Sequence, residues 1–420
     1  MCNGALFVFL LTLFLPKFLL AECPEHKIEM NDEERLFNAL KCKFKDEYRP
    51  VKDYTIPVRV KLRFDLKYIH FDTTKDTISV HSWVVYNWKD EFLSWNASDY
   101  SGIKEMQVKS YDIWSPRMML MNPDATYYNY DKIYTICILA YDGIVTCVPR
   151  TVYKATCQSQ LINWPYDEQS CTIYLGSWMN KEEQVNLTFY ENDPIILDDF
   201  QTAPGWKLLK VVHYRVPGEQ QKIYNSNKSQ PTLKLTFLLR REAAGLAILI
   251  IVPPTVLVLL MLSFLVMKVR DNSRLSLLSF ILFNHFAVII TIGFVVPRLS
   301  LDTPFILFFI RDSMIMTLVS ILETLLLMSL TRRILPAPIW ITSVNRLVTR
   351  GIGKYLIFSE LELCEDLQEN LISEEGTTNT DLNPRFNLDW IKFANLINSF
   401  FVILSILFYI IIMCKYIPRY

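Results

Sequence analysis

At 420 residues, 51% of them apolar and 13% aromatic with only 11 glycines, the chain has room for two or three domains but few of the glycines that phosphate-cradling loops need. Lys plus Arg equals Asp plus Glu at 43 each, so there is no net basic surface to suggest a nucleic-acid partner. Five scattered histidines and no nucleophile motif exclude a recognisable catalytic set, and neither an enzyme, a cofactor nor a metal site is expected.

In chain order, residues 1–21 form an apolar run ending in the small Ala21, with no acid before Glu22. This reads as a secretory signal peptide, with a first membrane helix as the alternative; either places the next segment outside. Residues 22–240 form an outer domain. A helical stretch is expected around 29–41. Val58, Val60, Leu62, Phe64 and Leu66 alternate with charged residues, the pattern of a half-buried strand. Residues 136–148 (ICILAYDGIVTCV) read as a hairpin about Asp142-Gly143. Short strands separated by turn signals recur to about residue 239, predicting an extracellular antiparallel β-sandwich.

Cys23, Cys42, Cys137, Cys147, Cys157 and Cys171 fall in this outer domain, consistent with an oxidising compartment. Cys157 and Cys171 enclose only QSQLINWPYDEQS, a loop whose closure contributes roughly 3 kcal/mol in the chain-entropy description. Cys137 and Cys147 flank the hairpin turn symmetrically, as a cross-strand disulfide or as two buried thiols; Cys23 and Cys42 are paired by elimination. Asn96, Asn186 and Asn227 open glycosylation sequons.

Beyond residue 240, Gly245–Met267, Leu275–Pro297, Pro304–Leu330 and Ile391–Cys414 are long enough to cross a bilayer, which takes about 20 residues. They divide into three helices within 241–330, a short cytoplasmic segment at 331–389 and a fourth helix with an outer tail at 390–420. Lys268, Arg270, Arg274, Arg332 and Arg333 flank the expected inner ends, while Lys415 and Arg419 fall outside. Glu323 is an intramembrane carboxylate, expected to face protein or water.

The segment CQSQLINWPYDEQSC, followed by three close-set helices and a distant fourth, resembles a Cys-loop pentameric ligand-gated ion channel subunit. GSW at 176–178 is similar to the nicotinic acetylcholine branch; WVVYNWKDEFLSW (83–95), WSPRMMLMN (114–122), Pro253 and Asp389-Trp390 add to the resemblance. It implies a four-helix transmembrane bundle and a multi-pass plasma-membrane protein, synaptic, with both termini outside. It also implies a site between subunits where aromatic faces hold acetylcholine or a related quaternary ammonium or amine. Trp178 stands at the centre of the principal face and Trp83 at the complementary face, with Trp88 and Trp95 structural. Met121 replaces the family's principal-face tyrosine, the adjacent cysteine pair of α-type subunits is missing, and Tyr224 is the remaining candidate wall. These departures imply a divergent, non-α, β-like invertebrate-type subunit that works beside α-type partners and lends Trp83 and the 133–149 hairpin to a neighbour.

In the second span, helical periodicity places Ser276, Phe280, Phe283, Ala287, Ile290 and Phe294 on one stripe, with Asn284 and Thr291 at its edge, as a pore-lining face. His285 faces away, as an interhelical hydrogen-bonder. Asn272-Ser273-Arg274 lacks the acid usual in cation-selective relatives, and Phe283 replaces the gate leucine. Coupling between halves is assigned to Trp164, Pro165 and Asp167 of the disulfide loop, resting near 298–304, with Arg241 before the first helix. The alternatives are an amine-gated anion-channel subunit and a non-conducting accessory subunit.

Overall fold

The computed structural model describes residues 31–126, 133–177, 180–216, 220–223, 226–229, 232–296, 302–333, 335–349 and 388–416. The expected signal segment, Cys23, Trp178, Tyr224 and residues 350–387 of the expected cytoplasmic segment lie outside these residues.

Helix α1 (Asp32–Lys41) opens on Asn31, whose side chain accepts the Glu34 amide at 2.7 Å. Asp32, Glu33 and Glu34 in its first turn and Lys41 in its last complement the helix dipole, and Leu36 and Leu40 are buried against the sandwich.

Two sheets follow. The larger has strand order β10-β1-β2-β6-β5-β3, with β7 also pairing β2 and β9 pairing β1. Its strands are β1 (Val58–Asp72), β2 (Thr77–Lys89), β3 (Glu105–Lys109), β5 (Ile136–Ala140), β6 (Ile144–Cys147), β7 (Arg150–Thr156), β9 (Val185–Phe189) and β10 (Ile195–Ile196). The second sheet runs β11-β14-β8-β4, from β4 (Met119–Leu120), β8 (Glu168–Gly176), β11 (Trp206–Val216) and β14 (Thr232–Arg241). A short ribbon pairs β12 (Gln220–Ile223) with β13 (Ser226–Ser229). The inward residues of both sheets, among them Leu62, Phe64, Trp88, Leu139, Ile173 and Phe237, form one core. The period-two pattern of β1 therefore buries its expected apolar face, until a register shift between Leu66 and Tyr68 moves burial to Ile69 and Phe71.

Among the described residues, four helices have membrane-crossing length: α2 (Ala244–Leu265), α3 (Asn272–Val295), α4 (Phe305–Thr331) and α6 (Leu388–Tyr416). Helix α3 starts earlier than apolarity alone suggests, because Asp271 caps it by accepting the Ser273 amide at 2.9 Å. Along α4, Ser313, Thr317, Ser320 and Thr324 are buried, each hydroxyl donating to the carbonyl four residues back. Small residues so satisfied let helices approach closely in lipid. Asn398 of α6 donates to the Leu265 carbonyl at 3.1 Å, tying the distant fourth helix to the end of α2. Between them, α5 (Ile339–Thr349) meets the start of α6 through Asn345, which donates to the Asp389 carbonyl.

Candidate functional site

Even-numbered residues of the central part of β2, including Val84, Tyr86 and Trp88, point into the core, which turns Trp83 outward with 40% of its surface exposed. Across the sheet, Trp83 lies between Asp65 of β1 and Arg150 of β7. The Arg150 guanidinium sits 5.0 Å from the Trp83 ring centre and the Lys67 ammonium 5.3 Å. Lys67 lies within the irregularity of β1 and is held there by Asp65 at 2.8 Å and Asp199 at 2.9 Å. Trp88 is buried edge-on to Trp114, and the Trp95 indole donates to the Ile103 carbonyl at 2.8 Å.

The hairpin beside this face is closed by a Cys137–Cys147 disulfide between directly opposed residues of β5 and β6. Gly143, at φ +84°, makes the turn, and the Asp90 amide donates to its carbonyl at 2.8 Å. Ile136, Ile138 and Ile144 are exposed on the hairpin's outer side, as is Tyr134 just before it.

On the second sheet Met121 is half-buried, and its amide donates to the Tyr174 carbonyl at 2.7 Å. Near it, Tyr214, Lys234 and Tyr174 are cross-strand neighbours on β11, β14 and β8. The Lys234 ammonium lies 4.9 Å from the Tyr214 ring centre and 5.4 Å from that of Tyr174. Hydrogen bonding to the Tyr214 hydroxyl pushes the Lys234 pKa above its ordinary value. Lys67, Arg150, Tyr174, Tyr214 and Lys234 are the residues that sequence reasoning missed. Their one visible signal is an outward position in an alternating strand; which ring each cation meets depends on register.

The loop closed by the Cys157–Cys171 disulfide descends onto the helices. Trp164 is buried with α2 and α4 residues, and the Phe305 amide donates to the Ile162 carbonyl at 3.0 Å. A largely apolar cavity of about 130 Å³ lies there, lined by Trp164, Pro165, Tyr166, Ile251, Phe305 and Tyr416. The described contacts of the loop are thus with α2, α4 and α6, while residues 297–301 lie outside the described ones. Asp167, 1% exposed, receives both Nε and Nη2 of Arg241 at 2.6 and 3.0 Å, and Gln169 donates to it at 2.6 Å. Arg241 also lies over the Trp206 ring at 4.3 Å. Because Arg241 ends β14 just ahead of α2, this fork joins the disulfide loop to the strand entering the membrane.

Ser276, Phe280, Phe283, Ala287, Ile290 and Phe294 all stand on the exposed face of α3; Arg274, Leu278, Ile281, His285 and Ile292 form its buried face. His285 bonds the Ile281 carbonyl of its own helix at 3.0 Å, not a neighbouring helix as its position suggested. Arg274, expected among the flanking charges, is fully buried and donates to Glu323 of α4 at 2.9 Å.

Of the sequon residues, Asn96 is exposed and caps a short turn by accepting the Ser98 amide. Asn186 is half-buried in β9 opposite Arg59. Asn227 belongs to β13. Cys42 is disulfide-bonded. Among the described residues no cluster suits a metal ion.

The sequence model of the family described as neurotransmitter-gated ion-channel ligand binding domain matches residues 33–243. The chain is 26% identical over 306 residues to acetylcholine receptor subunit beta-like 1 of Drosophila melanogaster, covering 71% of this chain and 57% of that relative. It is 26% identical to neuronal acetylcholine receptor subunit alpha-3 of Carassius auratus (77% and 61% covered). To neuronal acetylcholine receptor subunit beta-4 of Homo sapiens it is 24% identical (75% and 63% covered). The matches span about six tenths of the length of these relatives.

Proposed function

Because this chain belongs to the neurotransmitter-gated ion-channel ligand-binding-domain family, we propose that it is a non-α, nicotinic-type subunit of a heteropentameric acetylcholine-gated channel in the plasma membrane. In this reading it lends Trp83 and the 133–149 hairpin as the complementary face of a neighbour's site. It contributes the exposed stripe of α3 to the pore, with α-type subunits as partners and both termini outside a synaptic membrane.

The observation that carries this reading is the Arg241–Asp167 fork, which supports a mechanical link from a matched ligand-binding domain to membrane-length helices. Movement of the sandwich at an occupied interface would reach α2 through β14 and the disulfide loop. Phe280 and Phe283 on the exposed stripe would form an apolar constriction that gates by dewetting.

Co-expression with an α-type partner, with acetylcholine-evoked currents recorded under ion substitution, tests the reading. A current whose size or pharmacology depends on this chain supports it. Arg241→Gln leaving such currents unchanged would remove the coupling role. The anion-channel alternative draws no support from Arg274, whose guanidinium is turned into the subunit. A non-conducting accessory role is suggested by the missing acid at Asn272-Ser273-Arg274 and by Met121 in place of the principal-face tyrosine, and a mixture that carries this chain at the surface yet conducts identically without it would support that reading.

A further inference from the structure

We propose that Arg150 is a specificity-determining residue: its guanidinium occupies the Trp83 indole in place of a ligand's cation and makes this face discriminate against quaternary ammonium compounds. The inference rests on the reading of Trp83 as a complementary-face residue and reverses what that residue would be expected to do there.

Three features argue for it. First, an indole attracts a cation through the negative faces of its ring, and Trp83 already meets two cations, Arg150 at 5.0 Å and Lys67 at 5.3 Å. An onium group arriving from outside must displace one of them or accept like-charge repulsion close by. Second, both cations are held in place, one by strand pairing and the other by ion pairs. Arg150 is the direct cross-strand neighbour of Trp83 on β7, and Lys67 is anchored by Asp65 and Asp199. Third, the second sheet repeats the arrangement independently, with Lys234 between the rings of Tyr214 and Tyr174. On both sheets, exposed aromatic surface suited to a cation is stacked by the chain's own basic side chains.

Arg150 differs from Lys67 in a way that singles it out. Lys67 is charge-compensated by two carboxylates, so its removal would leave Asp65 and Asp199 to draw cations non-specifically. A planar guanidinium stacks on an indole and excludes other cations from that face, whereas a lysine keeps the charge without the plane.

The test uses the full chain co-expressed with an α-type partner, with acetylcholine and tetramethylammonium as probes in equilibrium binding and in concentration–response curves. Arg150→Gln should tighten apparent affinity for both probes by about tenfold, the scale of one recovered cation–π contact. Arg150→Lys should gain less, and Arg59→Gln, an exposed charge removed elsewhere on the domain, should gain nothing. Adding Trp83→Ala to Arg150→Gln should abolish the gain. If the gain survives loss of the indole, long-range charge is the cause and the proposal is overturned. Unchanged affinity in Arg150→Gln with currents intact overturns it while leaving the channel reading standing. Absence of assembly and current with every partner, for wild type and variants alike, removes both.

Discussion

Arg274 and Glu323, on adjacent helices, form a 2.9 Å ion pair on the buried face of α3, opposite the face that carries Phe280 and Phe283. The guanidinium also donates to the Met267 carbonyl, so it is bound at once to α4 and to the turn preceding α3. A charge at the base of this helix is thereby spent on holding the bundle together. Removing one partner of such a pair leaves an uncompensated charge in low dielectric, which costs about 3–5 kcal/mol. Arg274→Gln should therefore sharply reduce folded protein at the cell surface, measured by surface labelling. Replacing both partners, Arg274→Met with Glu323→Leu, should restore most of it, because the two charges then need no desolvation. On the proposed channel reading, the double variant should also keep the wild-type reversal potential, since neither charge faces the exposed stripe.

The Arg241–Asp167 fork predicts a strong non-additive pair. On the proposed channel reading, Arg241→Gln and Asp167→Asn should each shift the acetylcholine concentration–response curve of receptors co-expressed with an α-type partner to higher concentration. The double variant should be little worse than the more impaired single one. A coupling energy of about 1–3 kcal/mol is expected from a double-mutant cycle, as for groups in direct contact. Additive effects would show that the two residues act separately.

Gly143 is expected to resist substitution. Its φ of +84° strains any L side chain, and a Cβ there would stand 2.3 Å from the Asp90 carbonyl oxygen. Gly143→Ala should destabilise the extracellular domain by about 1–3 kcal/mol from backbone strain alone, with the clash adding to it. A lowered thermal unfolding midpoint of the purified protein would register this.

Asp90, only 5% exposed, has its pKa raised by burial, although it accepts the Phe92 amide. A carboxyl that holds its proton more tightly when folded adds stability at low pH. That contribution is lost as pH rises from the ordinary aspartate value of 3.8 through the raised folded value. Asp90→Asn keeps an acceptor for the Phe92 amide and removes the titration. It should flatten the decline in stability as pH rises above 3.8 and leave neutral-pH stability equal or higher. Unfolding midpoints across that range are the measurement; an unchanged slope would refute the assignment.

Much of this architecture was legible in the residue order because it is written in local periods. Alternation along β1 marks a half-buried strand, apolar length marks α2, α3, α4 and α6, and helical spacing puts Phe280 and Phe283 on one stripe. The disulfide loop and the residue types around it pointed to a family that the domain match then established. Pairing between distant segments was not legible, because a strand's face can be read from period two while its neighbour and register cannot. That is why the hairpin cysteines became a definite bond only with β5 opposite β6, and why Arg274 looked like a flanking charge until α4 brought Glu323 to it. Trp83 was named in the sequence only through the family resemblance, as a complementary-face residue. That Arg150 and Lys67 stand on its ring follows only from β7 lying beside β2 and from the shift in β1, two long-range arrangements that no local pattern encodes.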